Sequence, residues 1–395
     1  MNSENEPRMG AILTSLILAG TAAMMSTHLY TPSMPHLVDV FHTTPAVVKL
    51  SLSFNALAFG FSQLIHGPLS DRFGRRPVML GGMTFFILFS LACAFAQSIN
   101  QLIIARVFQG MSASVEAVLV LAIIHDLFDV TDRVRALAIY GMAVALAPAT
   151  AAIIGGYMHA WLGWRANFVL IALIGFLALV LIRRLLPESS VPDKNGIKPA
   201  QIFKEYGQLL TNRRFLSYAI ISGAGSGIIM AFVTAGPFVL ISYFKVATQH
   251  YGLYLLLPVL SYICANLITK QVAGKIDIEA LLRLGLMVTV IGAITLAGLI
   301  FSGFQAAVNL TLAMAVTTFG LGPVFAIAPM RALAAAGGSI GVAAAMVSTI
   351  PPIMGGLSAA SLSVLHDGTS RPLALAVLGL LFIVGFAYWM SSWKN

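Results

Sequence analysis

The sequence predicts an all-α polytopic membrane protein with twelve transmembrane helices in two six-helix halves, and three observations predict it. First, 58% of its 395 residues are hydrophobic and only 9% are charged. Soluble domains carry about a quarter charged residues and under half apolar ones. A chain so poor in charge cannot clothe a core of its own size against water, so its solvent is lipid. Second, apolar runs of about 20 residues, the length a helix needs to cross a bilayer, recur along the whole chain. Third, one long polar interruption, 187–214, divides these runs six and six.

The first run, 9–31, follows a polar amino-terminal stretch. It is too long for a signal-peptide core and shows no small-residue cleavage site, so it is expected to be retained as the first helix. Charged or Pro/Gly/Asn clusters bound the next five helices at 45–66, 77–96, 101–124, 134–159 and 164–186. The interruption carries Pro187, Pro192 and Pro199 with clustered charge, and is expected to be partly helical around Gln201 to Leu210. The second set is placed at 215–243, 249–273, 280–301, 306–330, 339–364 and 372–392. The resulting organisation is an N-terminal half (1–186), a linker (187–214) and a C-terminal half (215–395).

Positive residues are retained on the cytoplasmic side of membranes, so Lys and Arg set the orientation. With both termini in the cytoplasm, eighteen of the 23 fall in inner segments, against Lys49, Arg165, Lys245 and Arg371 in outer connections, with Arg106 inside a span. The net charge of +9 is therefore topological, and no basic run interleaved with aromatics points to nucleic acid. Cys93 and Cys264 each lie within an apolar stretch and read as packing residues.

Two six-helix halves joined by a cytoplasmic linker form the layout of a transporter with its substrate site between the halves at mid-membrane. A membrane enzyme would need a catalytic cluster, yet the eight histidines are scattered and no H-E-x-x-H or nucleophile pattern occurs. No phosphate-cradling loop is present either, so the expected energy source is a gradient and no cofactor or metal is implied. A non-transporting membrane sensor is the alternative from another class.

Between the second and third helices the chain reads Gly67, Pro68, Leu69, Ser70, Asp71, Arg72, Phe73, Gly74, Arg75, Arg76, Pro77. Gly67 permits close helix approach, Gly74 suits a positive-φ turn and Pro77 suits a helix start. A plain positive-inside loop would explain the arginines but not Asp71 between both glycines. In these residues the chain resembles the major facilitator superfamily, whose loop carries G-x-L-[SA]-D-R-x-G-R-[RK]. The resemblance implies the major facilitator fold, and implies that Asp71, with Arg72, Arg75 and Arg76, holds an inner gate closed by engaging arginine and a neighbouring helix end.

In the fourth helix Leu102, Arg106, Gln109 and Gly110 are similar to the pattern L-x-x-x-R-x-x-Q-G of proton-coupled members. An arginine inside a span must face a polar partner or snorkel to the interface. The functional reading makes Arg106 a fixed charge tuning a nearby proton carrier. Glu116 is the only acid within any predicted span and is the candidate carrier, about ten residues, or roughly 15 Å, deeper. The alternative is a structural hydrogen bond to a neighbouring helix. Helical phase places the two charges on adjacent faces, about 80° short of eclipsing.

Pro148 with Gly155 and Gly156 in the fifth helix resembles the antiporter signature of the drug:proton branch, though Ala stands at 147 and 152 where Gly or Pro is common. The first helix ends THLYTPSMPHL, similar to the D-x-Y-x-P-x-x-P segment of Bcr/CflA and EmrD-like drug exporters. Tyr30, Pro32 and Pro35 match, and His28 replaces the acid. Histidine can carry a proton in its place or act as a neutral hydrogen-bonding residue. The cavity is expected to include Tyr30, Phe54, Asn55, Phe232, Phe238 and Asn266.

The resemblance implies a monomeric proton-coupled secondary transporter of the bacterial inner membrane that exports small amphipathic compounds by alternating-access antiport. Its partners are a small-molecule substrate, protons and the lipid bilayer, and no nucleic acid. A symporter importing a metabolite, or an exporter of a specific metabolite or siderophore, remains open.

Overall fold

A computed structural model describes residues 5–190, 199–337 and 340–392. Its helices are α1 (Asn5–His28), α2 (Met34–Val40), α3 (Pro45–Phe73), α4 (Arg75–Ala94), α5 (Ile99–Leu127), α6 (Val130–Leu162) and α7 (Trp164–Leu185). There follow α8 (Pro199–Thr211), α9 (Arg213–Gly236), α10 (Tyr251–Val272), α11 (Ile278–Ser302), α12 (Ala307–Ala335), α13 (Ile340–Val364) and α14 (Arg371–Ser392). Among the described residues, twelve helices are long and apolar enough to cross a membrane, and each overlaps one of the predicted runs. The expected helix in the linker is α8. Lys194, Lys198 and Lys394, which entered the orientation count, lie outside the described residues.

Helix ends follow local chemistry. Thr44, Ser98, Asp129, Asn212 and Asp277 each accept a backbone N–H three residues on, capping α3, α5, α6, α9 and α11. Gly74, at φ 95°, makes the sharp break between α3 and α4. Two spans depart from single helices. The first stops at His28, turns through a 3-10 segment at Thr31–Ser33 and resumes as α2, because Pro32 and Pro35 cannot donate to the ladder. The seventh changes after Gly236 into a π-helical turn, Pro237–Tyr243, starting at a proline for the same reason. Helix α3 runs seven residues beyond its predicted end at 66, because Ser70, Asp71 and Arg72 stay helical where a loop was expected.

Helices α1 to α7 pack chiefly on one another, as do α9 to α14, with α8 lying against α9 and α13. The linker-side face of the bundle carries the α3–α4 turn, the end of α7 and the start of α9; the opposite face is called the far side. The two sets meet along α3 with α13 and α6 with α10. Three hydrogen bonds join them among the described residues, from Lys49 to Leu362 O (3.3 Å), between Lys49 and His366 Nδ1 (3.0 Å), and from Ser53 to Gly356 O (2.7 Å). All three lie in the far-side portions of α3 and α13 or in the loop after α13.

Glycines of α6 let backbone meet backbone both within the first set and across this seam. A Cβ on Gly155 would collide with the Leu29 carbonyl of α1's end, and one on Gly156 would sit 2.6 Å from the Thr248 carbonyl of the other set. Gly141, on the same helix, has open space around it. Gly155→Ala is therefore expected to lower stability by about 1 to 3 kcal/mol, the usual cost of overpacking, whereas Gly141→Ala leaves it unchanged or raised. Thermal melts of the two purified variants in one detergent check this.

Candidate functional site

Burial of Arg106 organises the first set. Its residue is fully enclosed, and its Nη1 donates to Ser26 O of α1 (2.8 Å) and to Gln109 Oε1 one turn on. Gln109 Nε2 in turn donates to Ser90 Oγ of α4 (2.7 Å). Asn55 Nδ2 of α3 donates to the Arg106 carbonyl (2.8 Å). Tyr30 presents its ring face 4.5 Å from the guanidinium and shares a 3.0 Å hydrogen bond with Ser51 Oγ. Nη1 is met by one backbone carbonyl and one amide oxygen and the group by a π face, while Nε and Nη2 have no acceptor and no carboxylate pairs with it among the described residues. Snorkelling to the interface, one of the two sequence expectations, does not occur.

Glu116 is also fully enclosed, and neither carboxylate oxygen has a hydrogen-bond partner among the described residues. The alternative of a structural hydrogen bond to a neighbouring helix is therefore not realised in this conformation. Glu116 lies on the α1/α6 side of α5, within electrostatic reach of Tyr140 of α6, whose ring fills the notch left by Gly20 of α1. No ion pair joins it to Arg106 among the described residues. The titratable side chains beside Arg106 are instead Tyr30, Cys93 and His28, the last a buried side chain whose Nδ1 has no partner among the described residues. The structure thus separates Glu116 from Arg106 and brings Arg106, Tyr30 and His28 together.

The residues expected in the cavity are placed as follows. Phe54 is 41% exposed on a face of α3 shared with Phe61 and Ile65, about 180° around the helix from buried Gln63. Asn55 is not free to meet substrate, being bonded to the α5 backbone. Asn266 bonds its own helix at Tyr262 O (2.9 Å). Phe232 is packed in the core of the second set, and Tyr30 in that of the first. Phe238 lies at the seam, its ring 5.1 Å from Lys49 Nζ. Pro148 lies within α6, which continues through it unbroken, while Gly155 and Gly156 form the close contacts described above.

In the α3–α4 turn, Asp71 pairs with Arg75, whose Nε also reaches Asp126 of α5 (3.3 Å). Arg76 donates to Arg183 O of α7 (2.8 Å). The helix end here is engaged by Glu188, not by Asp71: its carboxylate accepts from Arg75 N (2.8 Å) and Arg76 N (3.2 Å) at the start of α4. A side chain at Gly74 would collide with that carboxylate. Gly67 has open space and Arg72 lies against Phe73.

Sequence reasoning missed three features. Lys49, counted with the outer connections although the predicted run 45–66 contains it, is 2% exposed inside α3. A chain of hydrogen bonds links His66 Nδ1 to Ser114 Oγ (2.8 Å) and Ser114 to Ser62 (2.9 Å) between α3 and α5. Glu188 makes its contact 113 residues away in sequence, and nothing local announces it.

Comparison with known proteins places this geometry. The description Major Facilitator Superfamily matches residues 16–359. The multidrug transporter MdfA of Yersinia pestis is 30% identical over 308 residues, covering 78% of this chain and 75% of the relative. A bicyclomycin resistance protein homolog of Haemophilus influenzae is 26% identical over 372 residues, covering 93% of this chain and 92% of its own. Among solved structures, the xylose transporter XylE from E. coli, in a partially occluded inward open conformation, superposes with a TM-score of 0.74 at 14% identity, covering 97% of this chain and 98% of that one. That last likeness is one of fold.

The far-side contact carries a pH dependence with a definite sign. His366 lies in the loop after α13, where burial and then the neighbouring Lys49 hold its imidazole below the usual histidine range, with Asp367 opposing. Closure therefore favours the neutral ring: the contact is fully present above the ordinary histidine value of about 6.5 and weakens as pH falls below it. Spin labels at Gln97→Cys and Val364→Cys, in a Cys264→Ser background, are expected to move apart between pH 8 and pH 5. His366→Gln should abolish that change, and an unchanged distance in the parent would contradict it.

Proposed function

The chain belongs to the Major Facilitator Superfamily, and on that premise we propose that it is a proton-coupled antiporter exporting small amphipathic compounds from bacteria. The observation that carries the proposal is Glu116, an acid wholly enclosed in a membrane helix with no partner for either oxygen. Intramembrane carboxyls left without a counter-ion mark proton and ion pathways. Two further points support export: relatives at 30% and 26% identity are named as a multidrug transporter and a bicyclomycin resistance protein homolog. In this reading the linker side faces the cytoplasm of the bacterial inner membrane, because the arginine-rich ends gather there.

The cycle is alternating access in a monomer, powered by the proton gradient with no other cofactor. Glu116 takes a proton from outside as substrate leaves, and returns it to the cytoplasm as the next substrate binds, since one site cannot hold a proton and a competing ligand equally well. Arg106 stays charged and holds α1 and Tyr30 in place, with His28 beside it as a second proton site. Asp71, Arg72, Arg75 and Arg76 bias the cytoplasmic gate, and Pro148, Gly155 and Gly156 let α6 seal against α1 and the turn before α10.

Inside-out vesicles test the assignment with two probes, bicyclomycin and the lipophilic cation tetraphenylphosphonium. Glu116→Gln is expected to reduce gradient-driven uptake into these vesicles by more than tenfold while the protein still inserts and stays monodisperse. Glu116→Asp should restore part of it. Undiminished pH-dependent transport in Glu116→Gln would sink the carrier assignment, and movement of both probes with the proton gradient rather than against it would identify a symporter.

A further inference from the structure

On the linker side of the second set, a cleft of about 1050 Å³ opens between α8, the starts of α9 and α11, and the ends of α12 and α14. Its charged walls are Arg213 and Arg214 of α9, Arg331 of α12 and Glu279 of α11, with Tyr218 and Tyr388 between them. We propose that this cleft binds the phosphate headgroup of an anionic phospholipid from the linker-side leaflet.

The first argument is charge balance. One ion pair forms here, between Arg331 Nη2 and Glu279 (3.4 Å), while Arg331 Nε is buried without an acceptor. Arg213 and Arg214 make no ion pair among the described residues. The corresponding helix ends of the first set differ: there Asp71, Asp126 and Glu188 meet the α4 arginines and backbone from within the chain. Within the cleft wall a single acid, Glu279, faces three arginines, so an anion from outside completes the cluster. Guanidinium groups bind phosphate oxygens by paired N–H donors, and tyrosine hydroxyls add further donors.

The second argument selects a lipid over a free anion. Helix α8 packs Leu209 and Tyr206 onto the bundle at this level, as a helix lying in the membrane surface does. On the opposite face of α14 from the cleft, Phe382 at 76%, Phe386 at 52% and Trp389 at 50% exposure form an apolar stripe that ends at the level of the cleft. The stripe sets the cleft at interfacial depth, with Trp389 and Tyr388 at the level such residues prefer, where a phosphate among the arginines is within reach of the headgroups of this leaflet. Basic pockets between helices on this side of a membrane are headgroup sites by the same physics.

The test uses the full chain in a neutral detergent, titrated with phosphatidylglycerol, phosphatidylcholine or inorganic phosphate. Phosphatidylglycerol is expected to raise the melting midpoint saturably, and Arg213→Gln/Arg214→Gln to weaken the response by about fivefold per arginine removed. The control Lys270→Gln/Lys275→Gln removes the same charge from exposed positions outside the cleft on the same side and should respond like the parent. Equal weakening in that control, equal stabilisation by inorganic phosphate, or no response to phosphatidylglycerol would each overturn the proposal. Native mass spectrometry of the parent, independent of how the variants fold, should show preferential retention of phosphatidylglycerol, and equal retention of phosphatidylcholine would overturn it as well.

Discussion

A guanidinium held in the lipid-embedded part of α5 is the constraint around which the first set is built. An arginine at such depth costs a few kcal/mol on insertion scales unless polar groups meet it; here two acceptors take its Nη1, and the hydrogen bonds around it tie four helices together. Ser26 brings the α1 carbonyl, Gln109 passes the contact on to Ser90 of α4, and Asn55 of α3 takes up the Arg106 carbonyl. Close approach makes this work: a Cβ on Gly110 would collide with the Asn55 backbone, so only glycine lets α3 come near enough for Asn55 to reach across. The network also fixes Tyr30, and through it the break at the far end of α1.

Around that fixed charge, the remaining buried ionisable groups are held in different states of satisfaction. Lys49 has a carbonyl, a ring nitrogen and an aromatic face. Glu116 has none of these. The second set contains no comparable buried charge among its described residues and instead packs through small residues, as where Gly285 meets Gly320 and Gly292 meets Thr317. The two sets thus divide labour physically, one carrying charge and the other apolar close packing. A group without partners is the one whose state changes most readily, which is why the proposed chemistry rests on Glu116 and not on Arg106.

Much of the fold was legible because a bilayer leaves the backbone few choices: every polar backbone group must be satisfied within a helix, so length and composition translate into spans. Arg106 and Glu116 stood out for the same reason. What could not be read was rotation and partnership. Helical phase put the two charges on adjacent faces but could not say that His28 and Tyr30 would claim Arg106. Phe54 lies on a face of α3 that other helices leave uncovered, information absent from the local sequence. Lys49 was counted with the connections although the predicted run starts at 45, because a lysine in the first turn of a span is expected to reach the interface, and its partners Leu362 and His366 lie over 300 residues away in sequence. Glu188 was invisible, since a carboxylate after a proline at a helix end has no local mark of the helix it will cap.

The seam between the sets has glycine on both sides: Gly60 against Ile353, Gly356 against Leu57, Gly252 against the Ile153 backbone. At Gly60 and Gly356 a partner side chain sits in the notch that glycine leaves, and at Gly252 backbone meets backbone. Notches this shallow act as a bearing, along which packed helices can shift by small sliding steps while dispersion contact is largely kept. The barrier to such a shift is set less by the length of the seam than by the few directional ties across it, and Lys49 makes two of the three hydrogen bonds. A single side chain near one rim therefore governs how freely the whole joint turns.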